Sequence, residues 1–203
     1  MGNIMNAIAS HPQGKPRGAR FVTDAFEPKN WILLVTILIG WNADRIAGIG
    51  WGLLGALFAA VIPIVFIKYG MKKGRWADRH VGVRQHRLVV MTFIIASVGV
   101  GIALLLTLGA PRSVTALIVA MLVTLAGLMA ITTKWKISVH SAVSSGAVAM
   151  LVLAYGPWML MGYALVALVG WSRIALKDHT PAQVLAGAAL GAGIAAATFA
   201  LLR

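Results

Sequence analysis

Apolar residues in this chain come in long unbroken blocks, not in thin stripes. Leu88 to Ala110 contains no charged residue, and neither does Ser113 to Thr133. Blocks of that length match the roughly 20 helical residues needed to cross the hydrocarbon core of a bilayer. Inside lipid every backbone N–H and C=O must be paired within the spanning structure, which leaves helices or a closed barrel. The blocks are continuous and rich in Leu, Ala and Val, and lack the alternation, over segments of about ten residues, that a barrel strand requires. They predict an all-α, polytopic integral membrane helical bundle of six or seven transmembrane helices.

The count turns on the first apolar region. Trp31 to Ile67 is apolar apart from Asn42, Asp44 and Arg45, and is too long for one crossing. It predicts two short spans hinged near Gly48 to Gly52. The first, Trp31 to Ala47, carries Asp44 and Arg45 near its far end, where they can snorkel or pair. If Trp31 to Ala43 only lies in the interface, the count is six. The later spans are predicted at Leu88–Leu108, Ser113–Ile131, Val139–Tyr155, Pro157–Trp171 and Pro181–Leu202. Gly187 and Gly191 form a G-x-x-x-G pair that suits close packing of the last helix against the bundle.

Composition agrees with the pattern. Sixty per cent of the 203 residues are hydrophobic and 11% are charged, against roughly 25% charged residues in an ordinary soluble domain. A soluble chain so apolar would expose large hydrophobic patches and aggregate. Cysteine is absent, which excludes a disulfide framework or a thiolate metal site. About thirty mostly polar residues precede the first apolar run, so no cleaved signal peptide is expected. Residues 1–30, with Pro12, Gly14, Pro16 and Gly18, read as a basic, flexible cytoplasmic tail, and residues 31–203 as one transmembrane domain.

Charge orients the bundle. The net charge of +13 would suggest nucleic acid in a soluble protein. Here it points to anionic lipid headgroups or a phosphorylated substrate, and no nucleic-acid partner is expected. With seven spans, most Lys and Arg fall on one side: the tail, the loop from Lys68 to Arg87, Lys134 and Lys136, and Arg173 and Lys177. The other side holds Arg45, Arg112 and Arg203. An excess of Lys and Arg marks the cytoplasmic side, so a multi-pass cell-membrane protein is expected, with its basic face inside.

The candidate chemistry lies on that same face. Four of the five histidines sit in three segments there: Lys68 to Arg87, Lys134 to Ser141, and Ser172 to Pro181. Convergence of His, Arg, Lys and Ser from three loops suits phosphoryl transfer. Arg offers a planar fork of donors to phosphate oxygens, and charge on the transferred group needs neutralising by metal or by Arg and Lys. Only Asp78 and Asp178 lie nearby, too few carboxylates to hold Mg²⁺. The favoured chemistry is therefore free of metal and of any cofactor, with one imidazole as nucleophile and a second as general acid.

Ser172-Arg173-x5-His179 resembles the S-R-x5-H signature of the type 2 phosphatidic acid phosphatase superfamily of membrane lipid phosphatases. Ser138-Val139-His140 is similar to the S-G-H part of that family's P-S-G-H motif. Lys72 to Arg79 has the spacing of its K-x6-R-P motif, and the three occur in the family's order. The resemblance implies that His179 is the nucleophile, His140 the general acid, Arg173 a phosphate ligand and Ser138 a phosphate hydrogen-bond donor. It makes Lys72 and Arg79 further phosphate ligands. Lys68 to Arg75 also fits the first spacing, and Arg84 or Arg87 can take the ligand's place; Asp78 and His80 are candidate members of the site.

The sequence departs from the family pattern at Ile137 and Val139, in place of Pro and Gly, and at His80, in place of Pro. Gln183 stands where the family has an Asp that orients the nucleophilic imidazole. Its carbonyl can fix the tautomer of His179 without supplying charge. Thr180-Pro181-Ala182-Gln183 is also a capping box with Pro in the first helical turn, so capping and relay are equal readings of Gln183. The implied activity is removal of phosphate from a phosphorylated lipid or polyprenyl intermediate. A polyprenyl diphosphate phosphatase, a lipid phosphotransferase, and a transporter or non-catalytic protein binding anionic lipid are the alternatives.

Overall fold

The computed structural model describes residues 16–75 and 84–203, with the side chains of Arg84, Gln85 and Arg87 outside that description. Among the described residues every regular element is helical. In chain order these are α1 (Arg17–Ala25), α2 (Pro28–Ala56), α3 (Ile62–Lys72), α4 (Arg84–Thr107), α5 (Arg112–Thr132), α6 (Val139–Tyr155), α7 (Tyr163–Ala175) and α8 (Pro181–Leu202). A π-helical turn over Leu57–Val61 joins α2 to α3, and a 3₁₀ stretch over Pro157–Gly162 leads into α7.

Among the described residues, five helical stretches are long and apolar enough to cross a membrane: Arg17–Lys72, Leu88–Thr107, Arg112–Thr132, Pro157–Ala175 and Pro181–Leu202. The count differs from six or seven for two reasons. Val139–Tyr155 is apolar but shorter, and the Arg17–Lys72 stretch folds back on itself. That reversal is at Asp44 (φ −156°, ψ 43°) and Arg45 (φ 46°, ψ −126°), not at the expected hinge around Gly48 to Gly52.

The glycines there serve a different purpose. A Cβ on Gly40 would lie 2.3 Å from the Gly48 carbonyl oxygen, and one on Gly52 would lie 2.2 Å from that of Thr36. The two arms of α2 are thus antiparallel and touch backbone to backbone about the turn. Polar Asp44 and Arg45 take the reversal itself, and the Arg45 guanidinium lies 5.3 Å from the centroid of the Trp41 ring. Below them, the π-helical turn precedes Pro63, which has no N–H to continue the ladder. The Phe58 carbonyl accepts a bond from Ser97 Oγ at 2.8 Å, which ties this turn to α4.

Part of the segment read as a tail is helical. Residues 17–25 form α1, with Ala19 and Thr23 buried where the helix packs along α7. Ala19, Thr23 and the half-buried Phe26 recur at helical spacing, which gives this segment one face to bury.

The core runs through α2, α5, α6 and α8, with Val35, Ile39, Leu117, Val148 and Phe199 among its buried side chains. The α6–α8 contact is the most extensive. Here the G-x-x-x-G pair does pack the last helix into the bundle. A Cβ on Gly187 would lie 2.5 Å from the Ser138 carbonyl oxygen, and one on Gly191 would lie 2.0 Å from that of Ala142. Both collisions are with backbone, which cannot swing away. Gly191→Val should therefore lower stability by about 3 kcal/mol or more. That corresponds to a drop of roughly 6–12 °C in Tm, measurable by thermal unfolding of the detergent-solubilised protein.

Candidate functional site

The α6–α8 contact sets the N-termini of these two helices side by side. The Ser138 N–H donates to the Gln183 carbonyl at 3.2 Å, a bond between the residue that opens α6 and the first turn of α8. His140 lies in the first turn of α6 and His179 just before α8. Both imidazoles are buried, at 8% and 7% exposure. Helix N-termini carry unpaired N–H groups and partial positive charge, so both ends favour an anion.

Gln183 makes the contacts that both of its readings require. Thr180 caps α8 by accepting from the Gln183 N–H at 3.3 Å, and Gln183 Oε1 accepts in return from the Thr180 N–H at 3.2 Å. The same Oε1 lies 3.0 Å from His179 Nδ1. A backbone N–H can only donate, so the atom between them is the amide oxygen. Nδ1 of neutral His179 must then carry the proton, leaving the lone pair on Nε2.

Arg173 approaches from the end of α7. There Lys177 takes a left-handed conformation (φ 56°) and turns the chain back. The Asp178 and His179 N–H groups then bond the Arg173 carbonyl at 3.1 and 3.3 Å. This turn brings Asp178 Oδ2 to 3.0 Å from Arg173 Nη2. Asp178 thus pairs with the guanidinium, and Gln183 lies against Nδ1 of His179.

A chain of hydrogen bonds links Arg173 to α1. Ser172 Oγ donates to the Val169 carbonyl at 2.7 Å, and Thr23 Oγ1 lies 3.0 Å from Ser172 Oγ. Since the Ser172 proton is committed to Val169, the Thr23 hydroxyl is the donor between the two. Thr23 Oγ1 then accepts from Arg173 Nη1 at 3.4 Å. The guanidinium is 5% exposed, and its Nε has no hydrogen-bond partner among the described residues. A buried, incompletely satisfied donor on a fixed cation calls for an acceptor with negative charge.

The remaining predicted residues divide. Ser138 is fully buried; its Oγ accepts the Ser141 N–H at 3.4 Å and lies 3.0 Å from Ser141 Oγ, so it serves as the α6 cap. Lys72 is exposed at the end of α3 and does not join the network around Arg173. Asp78, Arg79 and His80 lie outside the described residues, as does the side chain of Arg87. No three His, Asp or Glu side chains among the described residues are grouped to ligate a metal. Thr23 escaped the sequence reading because it belongs to the segment taken for a flexible tail.

No protein-family model, curated protein or solved structure matches the chain.

Two substitutions probe this geometry. Gln183→Ala removes the acceptor that fixes the ring, so ¹⁵N NMR of His179 should show a single Nδ1–H neutral tautomer in the wild type and a mixture in the variant. Thr23→Val takes the acceptor from a buried Arg N–H, which should cost about 1–3 kcal/mol of stability in thermal unfolding.

Proposed function

We propose that this protein is a multi-pass membrane phosphatase that removes phosphate from a phosphorylated lipid or polyprenyl intermediate through a phosphohistidine. The observation that carries the reading is the pairing of two reactive features at one end of the bundle. One is the buried Arg173 guanidinium with an unsatisfied Nε. The other is His179, whose Nδ1 lies against an amide oxygen and whose lone pair is therefore on Nε2. Ser172-Arg173-x5-His179 and Ser138-Val139-His140, with their resemblance to the type 2 phosphatidic acid phosphatases, support the same chemistry.

In this mechanism Arg173 and the two helix N-termini hold the phosphate oxygens, and Arg79 and Arg87, whose side chains lie outside the described residues, are the further ligands that the resemblance implies. Nε2 of His179 attacks phosphorus, and the P–O bond to the lipid breaks. His140 protonates the departing lipid oxygen, then takes a proton from the water that cleaves the phosphohistidine, releasing inorganic phosphate and free His179. Gln183 holds the ring by a neutral hydrogen bond at Nδ1, which orients the imidazole without supplying charge.

We also read the chain as crossing the membrane seven times. The two arms of the α2 hairpin, the second continued by α3, supply the first two spans, and α6 is a short fifth. On this reading Arg45, Arg112 and Arg203 fall on one side and the other Lys and Arg of the described segments on the side of His179, which places the site at the cytoplasmic face.

The test is phosphate release from a panel of lipid phosphates in the presence of EDTA. Turnover is expected without added metal, absent in His179→Ala and reduced roughly 10²–10⁴-fold in His140→Ala. Wild-type turnover retained in His179→Ala would rule out the phosphohistidine. Release from none of the lipids would favour a non-catalytic protein that binds anionic lipid. Gln183→Glu keeps the capping box and turns the neutral bond to Nδ1 into a charge-assisted one, a gain of about 1 kcal/mol. It should raise kcat several-fold in the same assay.

A further inference from the structure

Directly beneath α1 the bundle is grooved. The groove has a volume of about 410 Å³ and reaches from the corner between α1 and α2, at Phe26 and Asn30, down to Leu38. Its outer rim is formed by Leu34 of α2 and Leu165 of α7, which are 47% and 39% exposed, so it opens sideways toward the surrounding bilayer. Trp31 forms part of its inner wall and also lines a smaller void of about 60 Å³ deeper in the core. Asn30 and the Trp31 indole supply the polar side-chain groups of the lining; Asn30 Nδ2 is bonded to the Ala25 carbonyl at 2.9 Å, and Trp31 Nε1 is buried with no partner among the described residues. The groove therefore offers hydrocarbon contact and almost nothing to a sugar or a peptide.

Its position relative to the phosphate site narrows the occupant. The upper end begins at Ala25 and Phe26, two and three residues after Thr23, whose Oγ1 touches Arg173 Nη1. The eight helical steps from Asn30 to Leu38 extend it about 12 Å along α2. Its lower end lies near the far side, where the Leu38 carbonyl accepts a bond from Tyr155 OH. The groove thus starts beside the guanidinium and runs along the membrane normal, the course of a lipid tail whose phosphate is held at the surface. At roughly 30 Å³ for a water-sized group, 410 Å³ takes on the order of a dozen chain carbons. That matches the carbons of a single chain lying along the groove.

We infer that this groove is the tail site, and that it holds a single hydrocarbon chain of a lipid phosphate whose headgroup sits at Arg173 and His179. The inference rests on the function proposed above and adds a substrate class to it: single-chain lipid phosphates, of prenyl or alkyl type, ahead of two-chain ones. Bilayer lipid is as apolar as the groove, so transfer between them contributes little affinity. The groove acts by fixing the position of the phosphate against His179.

Leu34→Trp and Leu165→Trp would fill the groove from its exposed rim with little disturbance to the core. Turnover is to be compared on a water-soluble short-chain alkyl phosphate and on a long single-chain alkyl phosphate in detergent micelles. Either variant should lower kcat/KM for the long chain by roughly tenfold or more, the scale of a lost positioning contact, and leave the short-chain value within about twofold. Equal losses on both substrates, or none on the long chain, would overturn the inference while leaving the phosphatase reading intact. Absence of turnover on both substrates in the wild type would count against that reading instead. Native mass spectrometry then decides the groove by itself: retention of the long-chain phosphate by the wild type and its loss in both variants supports the tail site, and any other pattern removes it.

Discussion

Gly187 and Gly191 let α8 lie directly on the backbone of α6, against the carbonyls of Ser138 and Ala142, and the candidate site depends on that contact. In a bilayer, helices gain little from hiding apolar side chains from one another, so close backbone approach between small residues is what holds them in register. Here the register puts the opening turns of α6 and α8 level, a match sealed by the bond from the Ser138 N–H to the Gln183 carbonyl. A shift of one residue along either helix would break that bond. It would also displace His140 and His179, each placed by the start of its own helix.

The polar groups near this junction are economical. One amide oxygen, Gln183 Oε1, accepts from the first backbone N–H of the α8 cap and lies against the imidazole of His179. Helix termination and ring orientation therefore cannot be separated: a residue that lost the cap would also free the ring. Arg173 is held in a comparable way, by Asp178 across the end of its own helix and by Thr23 from the opposite end of the chain. Burying a guanidinium is costly unless its donors are matched. Two of its nitrogens are matched within the protein. The third, Nε, has no partner among the described residues.

α1 gains importance from this arrangement. It is short and its contact with α7 is modest, yet its buried face delivers Thr23 to Ser172 and Arg173, and its end forms the roof of the apolar groove. A segment that reads as a solvated leader therefore packs between the polar network around Arg173 and an apolar groove.

The sequence by itself determined the all-helical class, the later helices and the set of polar residues at the junction of α7 and α8. These follow from local properties: block length sets which segments suit a membrane, and capping chemistry fixes where α6 and α8 begin. Ser172, Arg173, His179 and Gln183 were legible because they are neighbours along one helix end and the next helix start. The tertiary structure decided the remainder. It put the α2 reversal at Asp44 and Arg45, because the nearby glycines were needed where the two arms touch. It gave Asp178 to Arg173 because a left-handed residue at 177 turns the chain back. Thr23 reaches its partners across about 150 residues of chain. Spacing encodes the contacts within a helix and its caps, whereas a pairing at that separation exists only once every helix between has been packed.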